Sequence, residues 1–473
     1  MLIVYIVGIY FLYVLISGVI LFKFSKHKKS RYIDEHKIER FFGEKESQDK
    51  VALVEKRYES GLARINLIEN AKETLDISYY MISPGLAGTI FHTSIVDAAD
   101  RGVKIRILLD GLSHHMRGKK KDIIYSYSEH PNIQLKFYEP FDAWRPWTWN
   151  NRLHDKIIVV DREVAMIGGR NIGDKYFAPV GYEGATNDRD VVIVNTDVEN
   201  LKDSVISKVK EYYDYVWNHK FSRCPVTHLT KKQQKMGQRK LSDLRELFKT
   251  LVESQPNLFK QEINWRDRSL PANKVTFIHN PIERFNKEPW VWYEISRLMR
   301  KAKESILIQS PYIIPTIDMQ KHLNKKHLYA DDVKVLTNSV AASPNVMAYS
   351  GYRRFRKKIV GSGVNVYEFQ GPTESYHTKS FIFDNRISLV GSFNLDPRSA
   401  HLSTEIMVVI DSKPFANQMK SEIDRIITHN SLHVKSDGSY SDHPFIEEKM
   451  VSPVKSMVTR VLSGLTRFSE HLL

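Results

Sequence analysis

Read for its hydrophobic and polar positions alone, the chain opens on an unbroken apolar run. Residues 1–22 (MLIVYIVGIYFLYVLISGVILF) carry no charged side chain. As a helix rising 1.5 Å per residue the run spans about 33 Å, enough to cross a bilayer core. The basic n-region, short apolar core and small-residue cleavage site of a signal peptide are missing from it. Lys23, Lys26, Lys28, Lys29 and Arg31 follow directly. Cytoplasmic flanks of membrane helices are rich in Lys and Arg. The pattern therefore predicts a single-pass anchor in the inner (cytoplasmic) membrane, with the remaining chain on the cytoplasmic side.

Beyond this run, amphipathic stretches alternate with short apolar ones. Residues 31–56 are charged and read as a connector leading into a helix. An amphipathic stretch at 57–72, a buried-type strand at 75–81, a helix at 88–100, a strand at 103–110 and a weaker strand at 133–138 come next. After Arg223 the series recurs, with strands expected at 305–309, 333–337 and 364–369. Glu73 aligns with Glu304 and Asn132 with Gly363, a shift of 231 residues in both cases. Such self-similarity predicts a duplicated unit, and strands alternating with helices predict α/β sheets with helices packed on them. The expected division is an anchor at 1–22, a basic juxtamembrane connector at 23–56, a first domain at 57–228, a linker at 229–260, a second domain at 261–440 and an amphipathic tail at 441–473. Residues 230–249 are strongly basic and read as the exposed part of the linker.

Composition narrows the classes. The chain has 473 residues, 42% hydrophobic, which excludes wholesale disorder. A mean hydropathy of −0.37 excludes a polytopic transporter. The single cysteine, Cys224, excludes a disulfide framework and a cysteine-based zinc site. A net charge of +15 points to a polyanionic partner, either nucleic acid or an anionic lipid surface.

Each half carries the same polar string. His154, Lys156, Asp161, Gly168, Gly169 and Asn171 in the first half match His377, Lys379, Asp384, Gly391, Ser392 and Asn394 in the second, at identical spacings. The apolar residues after each Lys read as a strand, and side chains two apart on a strand share a face. Each His therefore stands beside its own Lys. Asp161 and Asp384 fall at the turns that follow and are expected to fix those turns. The small residues at 168–169 and 391–392 let Asn171 and Asn394 approach a ligand. Two His, two Lys and two Asn suit a phosphodiester: one His attacks phosphorus, the other protonates the departing alcohol, and Lys and Asn hold the oxygens. No metal ion or other cofactor is expected.

The doubled H-x-K-x4-D with G-G/S-x-N resembles the phospholipase D superfamily. Over about residues 57–412 the chain is similar to its cardiolipin synthase branch, through LDISYY, RGVKIRILLD, GGRNIGDKYF, SPYIIPT, VLTNS, GYRRFR and GSFNLDPRS with Glu405. VLTNS, GYRRFR and GSFNLDPRS look most like the cardiolipin synthase C subgroup. The resemblance implies an α/β fold of two similar phospholipase D-like sheet domains in pseudo-twofold arrangement, preceded by one transmembrane helix. It also implies one shared, metal-free site at the domain interface. It makes His154 the nucleophile and His377 the acid, an assignment the near symmetry leaves open. It places Asp190 and Glu405 where the family has carboxylates orienting the catalytic His. Phosphatidylglycerol is the implied acceptor, with phosphatidylglycerol or phosphatidylethanolamine as donor and cardiolipin as product. The expected partner is an anionic phospholipid membrane surface, not nucleic acid. The rivals are a phospholipase D-type hydrolase, a nucleic-acid phosphodiesterase and a non-catalytic membrane scaffold.

Several segments read two ways. Between Pro140 and His154 the first half holds a loop that the short path from Pro372 to His377 lacks. Its Trp144, Trp147, Trp149, Arg145 and Arg152 suit either a headgroup layer or a packed domain edge. Val451, Val454, Val458, Val461, Leu462 and Leu465 recur at helical spacing, as in an interfacial membrane helix or one docked on the body. Residues 349–358 (YSGYRRFRKK) read as a solvated helix face or as a guide for anionic headgroups. His114, His115, His322 and His327 lack zinc-ligand spacing and read as solvated loop residues.

Overall fold

The computed structural model describes residues 1–371 and 373–473. Pro372, from which the short second-half path is counted, lies outside them. The chain forms two compact units: one of residues 44–140 and 153–277, the other of 1–43, 141–152 and 278–473.

The first repeat is built on β1 (Asp49–Val54), β2 (Thr74–Tyr79), β3 (Lys104–Asp110), β4 (Ile133–Tyr138), β5 (Lys156–Val160), β6 (Val164–Gly168), β7 (Asp190–Asn195) and β8 (Ser222–Arg223). Their order across the sheet is β1-β7-β6-β5-β2-β3-β4-β8. The second repeat uses β9 (Lys274–His279), β10 (Ser305–Gln309), β11 (Asp332–Asn338), β12 (Asn365–Phe369), β13 (Ser380–Phe383), β14 (Ile387–Gly391), β15 (Ile406–Asp411) and β16 (Ser431–His433). Its order, β9-β15-β14-β13-β10-β11-β12-β16, is the same permutation. In both sheets the central strand runs parallel to one neighbour and antiparallel to the other: Leu75 faces Ile105 and Val160, Ile306 faces Val333 and Phe383. All residues of β5, β7, β14 and β15 are buried. Near-continuous apolar strands of this kind belong to sheets covered on both faces.

Of the expected elements, 133–138 and 305–309 match their strands end to end, the amphipathic stretch at 57–72 ends three residues earlier, at Glu69, and the others shift by one or two residues. The helices are α1 (Arg57–Glu69), α2 (Leu86–Asp100), α3 (Lys121–Glu129) and α4 (Lys231–Ser254) in the first repeat, and α5 (Trp290–Lys301), α6 (Val346–Val360) and α7 (Pro453–Ser469) in the second.

Three expectations are corrected and one is borne out in part. The supposed connector contains β1, whose DKVALV pairs with β7. The supposed exposed linker is α4, opened by a Thr230/Gln233 capping box and buried at Gly237, Leu241, Leu244 and Leu251 against α2 and α3. The basic run at 349–358 lies, as expected, on a helix, α6, with Arg353, Lys357 and Lys358 exposed; its other side is packed, with Tyr352 fully buried and Arg356 paired with Glu368 at 2.5 Å. His114 is buried, stacked on Phe137, and burial pushes its imidazole down to about 4.

Residues Leu2–Phe24 form one helix of mean hydropathy 2.5, long and apolar enough to cross a membrane. A π-helical turn at Ile16–Ile20 interrupts it. Such a turn frees backbone carbonyls, and the surrounding unit supplies partners for two of them. Asn150 Nδ2 donates to Gly18 C=O at 2.6 Å and His471 Nε2 to Val19 C=O at 3.0 Å. The loop at 141–152 lies along this helix, with Tyr10 and Tyr13 hydroxyls donating to Ala143 and Trp144 carbonyls.

Candidate active site

In the first repeat, His154 precedes β5 and Lys156 opens it. Lys156 is buried, donates to the carbonyl of His154 and lies 5.7 Å from the centre of the Tyr80 ring. The edge-on Tyr80 ring is 5.4 Å from the partly exposed His154 ring. Asp110 Oδ2 accepts from the Leu153 amide at 3.0 Å, and the Tyr212 hydroxyl donates to buried Asp155 at 2.9 Å, so both flanks of the histidine are tied down. In the second repeat Lys379 is likewise buried; it donates to the carbonyl of His377 and, at 2.5 Å, to its Nδ1.

Asn171 and Asn394 follow β6 and β14 and are almost completely buried. Asn171 Nδ2 donates to the Tyr176 hydroxyl at 3.3 Å. In both asparagines the side-chain oxygen accepts no hydrogen bond. A buried amide with an unfilled position costs stability unless a ligand fills it.

The two motif aspartates hold turns. Asp161 accepts from the amides of Lys72, Glu73 and Thr74 at 2.8–2.9 Å, and Asp384 from those of Lys303, Glu304 and Ser305 at 2.8–3.1 Å. Both have positive φ, which their short polar side chains tolerate. The carboxylates therefore staple the start of the central strand to the β5–β6 and β13–β14 turns and are not placed as reacting groups.

Sheet register corrects one sequence-derived position. Asp190 lies opposite Gly168, where the second repeat has Met407 opposite Gly391. The Gly169 amide donates to Arg189 C=O, and the Ser392 amide to Ile406 C=O. The counterpart of Glu405 is thus Asp188. Asp188's carboxyl crowds Gly169 closely enough to exclude a Cβ there, while Ser392 donates to Glu405 at 2.5 Å. Asp190 instead pairs with Arg170 at 2.7 Å and Arg64 at 3.1 Å and accepts from Ser60 at 2.7 Å. Burial alone would raise its carboxyl, but Arg64 and Arg170 outweigh that and hold it below the usual carboxylate range. The DRD sequence, with two aspartates two residues apart, could not distinguish them without the register. Asp396 was also missed: it is buried beside Asn394, and burial, then the Glu405 charge, push it up to about 7.

These strings, on two sheets of one topology, define a duplicated phospholipase D-like enzyme. A family model described as cardiolipin synthase, PLD-like domain, matches residues 65–217 and 295–427, once per repeat, and the chain belongs to that family. It is a phosphatidyltransferase of the phospholipase D superfamily. The chain is 29% identical over 398 residues to cardiolipin synthase C of Escherichia coli K12, covering 77% of this chain and 81% of that one. It is 23% identical over 399 residues to cardiolipin synthase 1 of Staphylococcus epidermidis, covering 82% and 70%. The crystal structure of phosphatidylserine synthase from Haemophilus influenzae shares the fold, with a TM-score of 0.62 at 16% identity over 90% of this chain and 95% of that one.

Proposed function

We propose that the protein joins two phospholipids into cardiolipin by a double displacement at phosphorus. His154 attacks the phosphorus of phosphatidylglycerol or phosphatidylethanolamine; a nitrogen–phosphorus bond forms and the bond to the departing headgroup oxygen breaks. His377 gives that oxygen its proton. A hydroxyl of a second phosphatidylglycerol then loses its proton to His377 and attacks phosphorus, breaking the nitrogen–phosphorus bond and freeing His154. Lys156, Lys379, Asn171 and Asn394 bind the phosphoryl oxygens. Asp188 and Glu405 orient the two histidines.

The duplicated string carries the reading: in each repeat a partly exposed His is followed by a buried Lys and a buried Asn. The His that protonates the leaving oxygen does so as the imidazolium and returns to it when the second lipid's hydroxyl gives up its proton. The membrane-spanning helix supports lipid as substrate, because it holds the enzyme among lipid hydroxyls. We place the catalytic repeats on the cytoplasmic face, where the basic residues at 23–31 meet anionic headgroups.

Purified protein in phosphatidylglycerol vesicles is expected to release glycerol and form cardiolipin; with phosphatidylethanolamine added, it releases ethanolamine. Recovery of phosphatidic acid and free headgroup alone would show a hydrolase. Lipid analysis of a cardiolipin-free host expressing wild type or His154→Ala checks the reaction in cells. A periplasmic signal from a C-terminal reporter would refute the orientation.

A further inference from the structure

An amphipathic helix docked on a globular body normally turns its apolar stripe inward. Helix α7 does the reverse. Thr459 and Thr466 are buried, Ser463 Oγ donates to the Ser350 carbonyl of α6 at 3.0 Å, and Lys455 donates to the carbonyls of Ala341 and Ser343. The opposite face carries Val454, Met457, Val458, Val461, Leu465 and Phe468. Met457 is 62% exposed, Val461 59%, Leu465 58% and Phe468 69%. At spacings of three, four and seven residues these side chains form one stripe, and exposed Arg460 and Arg467 border it.

The far end of α7 is fixed. Arg354 pairs with Glu470 at 2.6 Å, Arg398 binds the carbonyls of Leu472 and Leu473, and His471 donates to Val19 C=O in the spanning helix. Val19 lies four residues before Lys23, where the basic cluster starts. The exposed stripe is therefore continuous with the membrane-spanning surface at its basic end. On the same helix Tyr10 packs edge-on against Trp144, which is 77% exposed.

From this inverted face and its attachment we infer that α7 lies in the plane of the bilayer, its apolar stripe sunk into the leaflet that meets the basic end of the anchor. Arg460 and Arg467 reach the anionic phosphates of that leaflet. This contact goes beyond the reaction proposed above and is independent of turnover. It fixes the second repeat flat on the lipid, which a single flexible tether would not do.

The test uses full-length protein in phosphatidylglycerol/phosphatidylethanolamine vesicles. The exposed Cys224 is changed to Ser, and single cysteines are placed by Val461→Cys, Leu465→Cys or, as an aqueous control, Ser421→Cys on the exposed face of helix Lys413–Asn430. Each carries an environment-sensitive fluorophore. At 461 and 465 the emission is expected to shift to the blue and be quenched by spin-labelled lipid, with iodide quenching about fivefold or more below that at 421. Iodide quenching equal to that at 421, without lipid quenching, would overturn the inference. So would shielding that vanishes as protein is diluted in lipid, which would assign the stripe to a second copy of the chain. Because the readout needs no catalysis, it can fail while the transferase reaction stands.

Discussion

The two repeats share a strand order and a polar string, yet differ at one buried cluster. Around Asp190 the first repeat gathers Arg64 and Arg170. By register and offset the second repeat has Met407, Ile295 and Phe393 there, all buried in its apolar core. One fold thus accepts a charged triad in one copy and an apolar triad in the other. Burying ions costs desolvation that their mutual attraction roughly repays, so neither solution is required by the sheet. His, Lys and Asn, by contrast, occupy the same register in both copies although none of them is needed to fill a core. That contrast separates residues held for chemistry from residues held for packing.

The largest effect should come from the histidines. His154→Ala and His377→Ala are each expected to lower phosphatidyl transfer by at least ~10²–10⁴, the usual worth of a positioned acid, base or nucleophile. The two losses should differ in kind. With lipid radiolabelled in its phosphate, His377→Ala should retain a trappable, acid-labile protein adduct that His154→Ala lacks. Labelling only in His154→Ala would reverse the roles and make the second repeat the nucleophilic one.

Next come the triads. Asp190→Met alone leaves two buried arginines without their counter-charge and should cost about 3–5 kcal/mol, seen as a lowered thermal midpoint. Adding Arg64→Ile and Arg170→Phe, which copies the second repeat, should recover most of that loss. A triple variant no better than the single one would show that the charged cluster is tied to its surroundings in a way the second repeat is not. Asp188→Asn should do the opposite if this carboxylate orients His154 as proposed: little change in midpoint, a large fall in kcat and a displaced pH–rate profile.

A smaller effect belongs to the staples. Asp161→Ala and Asp384→Ala each free three backbone amides and should cost about 1–3 kcal/mol, measured by denaturant unfolding. Turnover per folded molecule should stay within about threefold of wild type, the mark of a turn residue and not a reacting one.

The sequence carried most of this. The period-two and period-3.6 patterns located the central strands and helices because those elements bury their whole apolar face. The matched spacings identified His154, Lys156, His377, Lys379 and both asparagines because chemistry fixed them relative to a strand end. What stayed hidden depends on pairing. β1 contributes an edge whose partner, β7, lies over a hundred residues away. α4 is polar along most of its length, and its narrow buried stripe of Gly237, Leu241, Leu244 and Leu251 was masked by lysines. Asp188 and Asp190 are two residues apart and are told apart only by register, Asp190 lying opposite Gly168 and the Asp188 carboxyl against Gly169. The inward threonines of α7 become informative only once the helix is seen on α6.

The smallest effect tests a carboxyl that only one repeat has. Asp396 follows Asn394 by two residues; the same step from Asn171 reaches Gly173, which has no ionisable group. Asp396 caps a short helix by accepting from the Ser399 amide at 2.7 Å. Burial, reinforced by the charge of Glu405 and opposed by the cap, pushes it from an ordinary 3.8 up to about 7. The folded chain therefore holds this proton more tightly than the unfolded chain does. Its contribution to stability is whole below about pH 4 and drains away as pH rises through 7. Between pH 6 and 8 the loss is about 1.4 kcal/mol, one pKa unit's worth. Asp396→Asn keeps a capping oxygen and cannot ionise, so its thermal midpoint should stay level across that window while the wild type falls. Installing Gly173→Asp in the first repeat would not reproduce the effect, because a Cβ at Gly173 would come within 2.9 Å of the Ser83 side chain. A wild-type midpoint as level from pH 6 to 8 as that of Asp396→Asn would mean that Asp396 is ionised when folded, and that this difference between the repeats is one of sequence without electrostatic consequence.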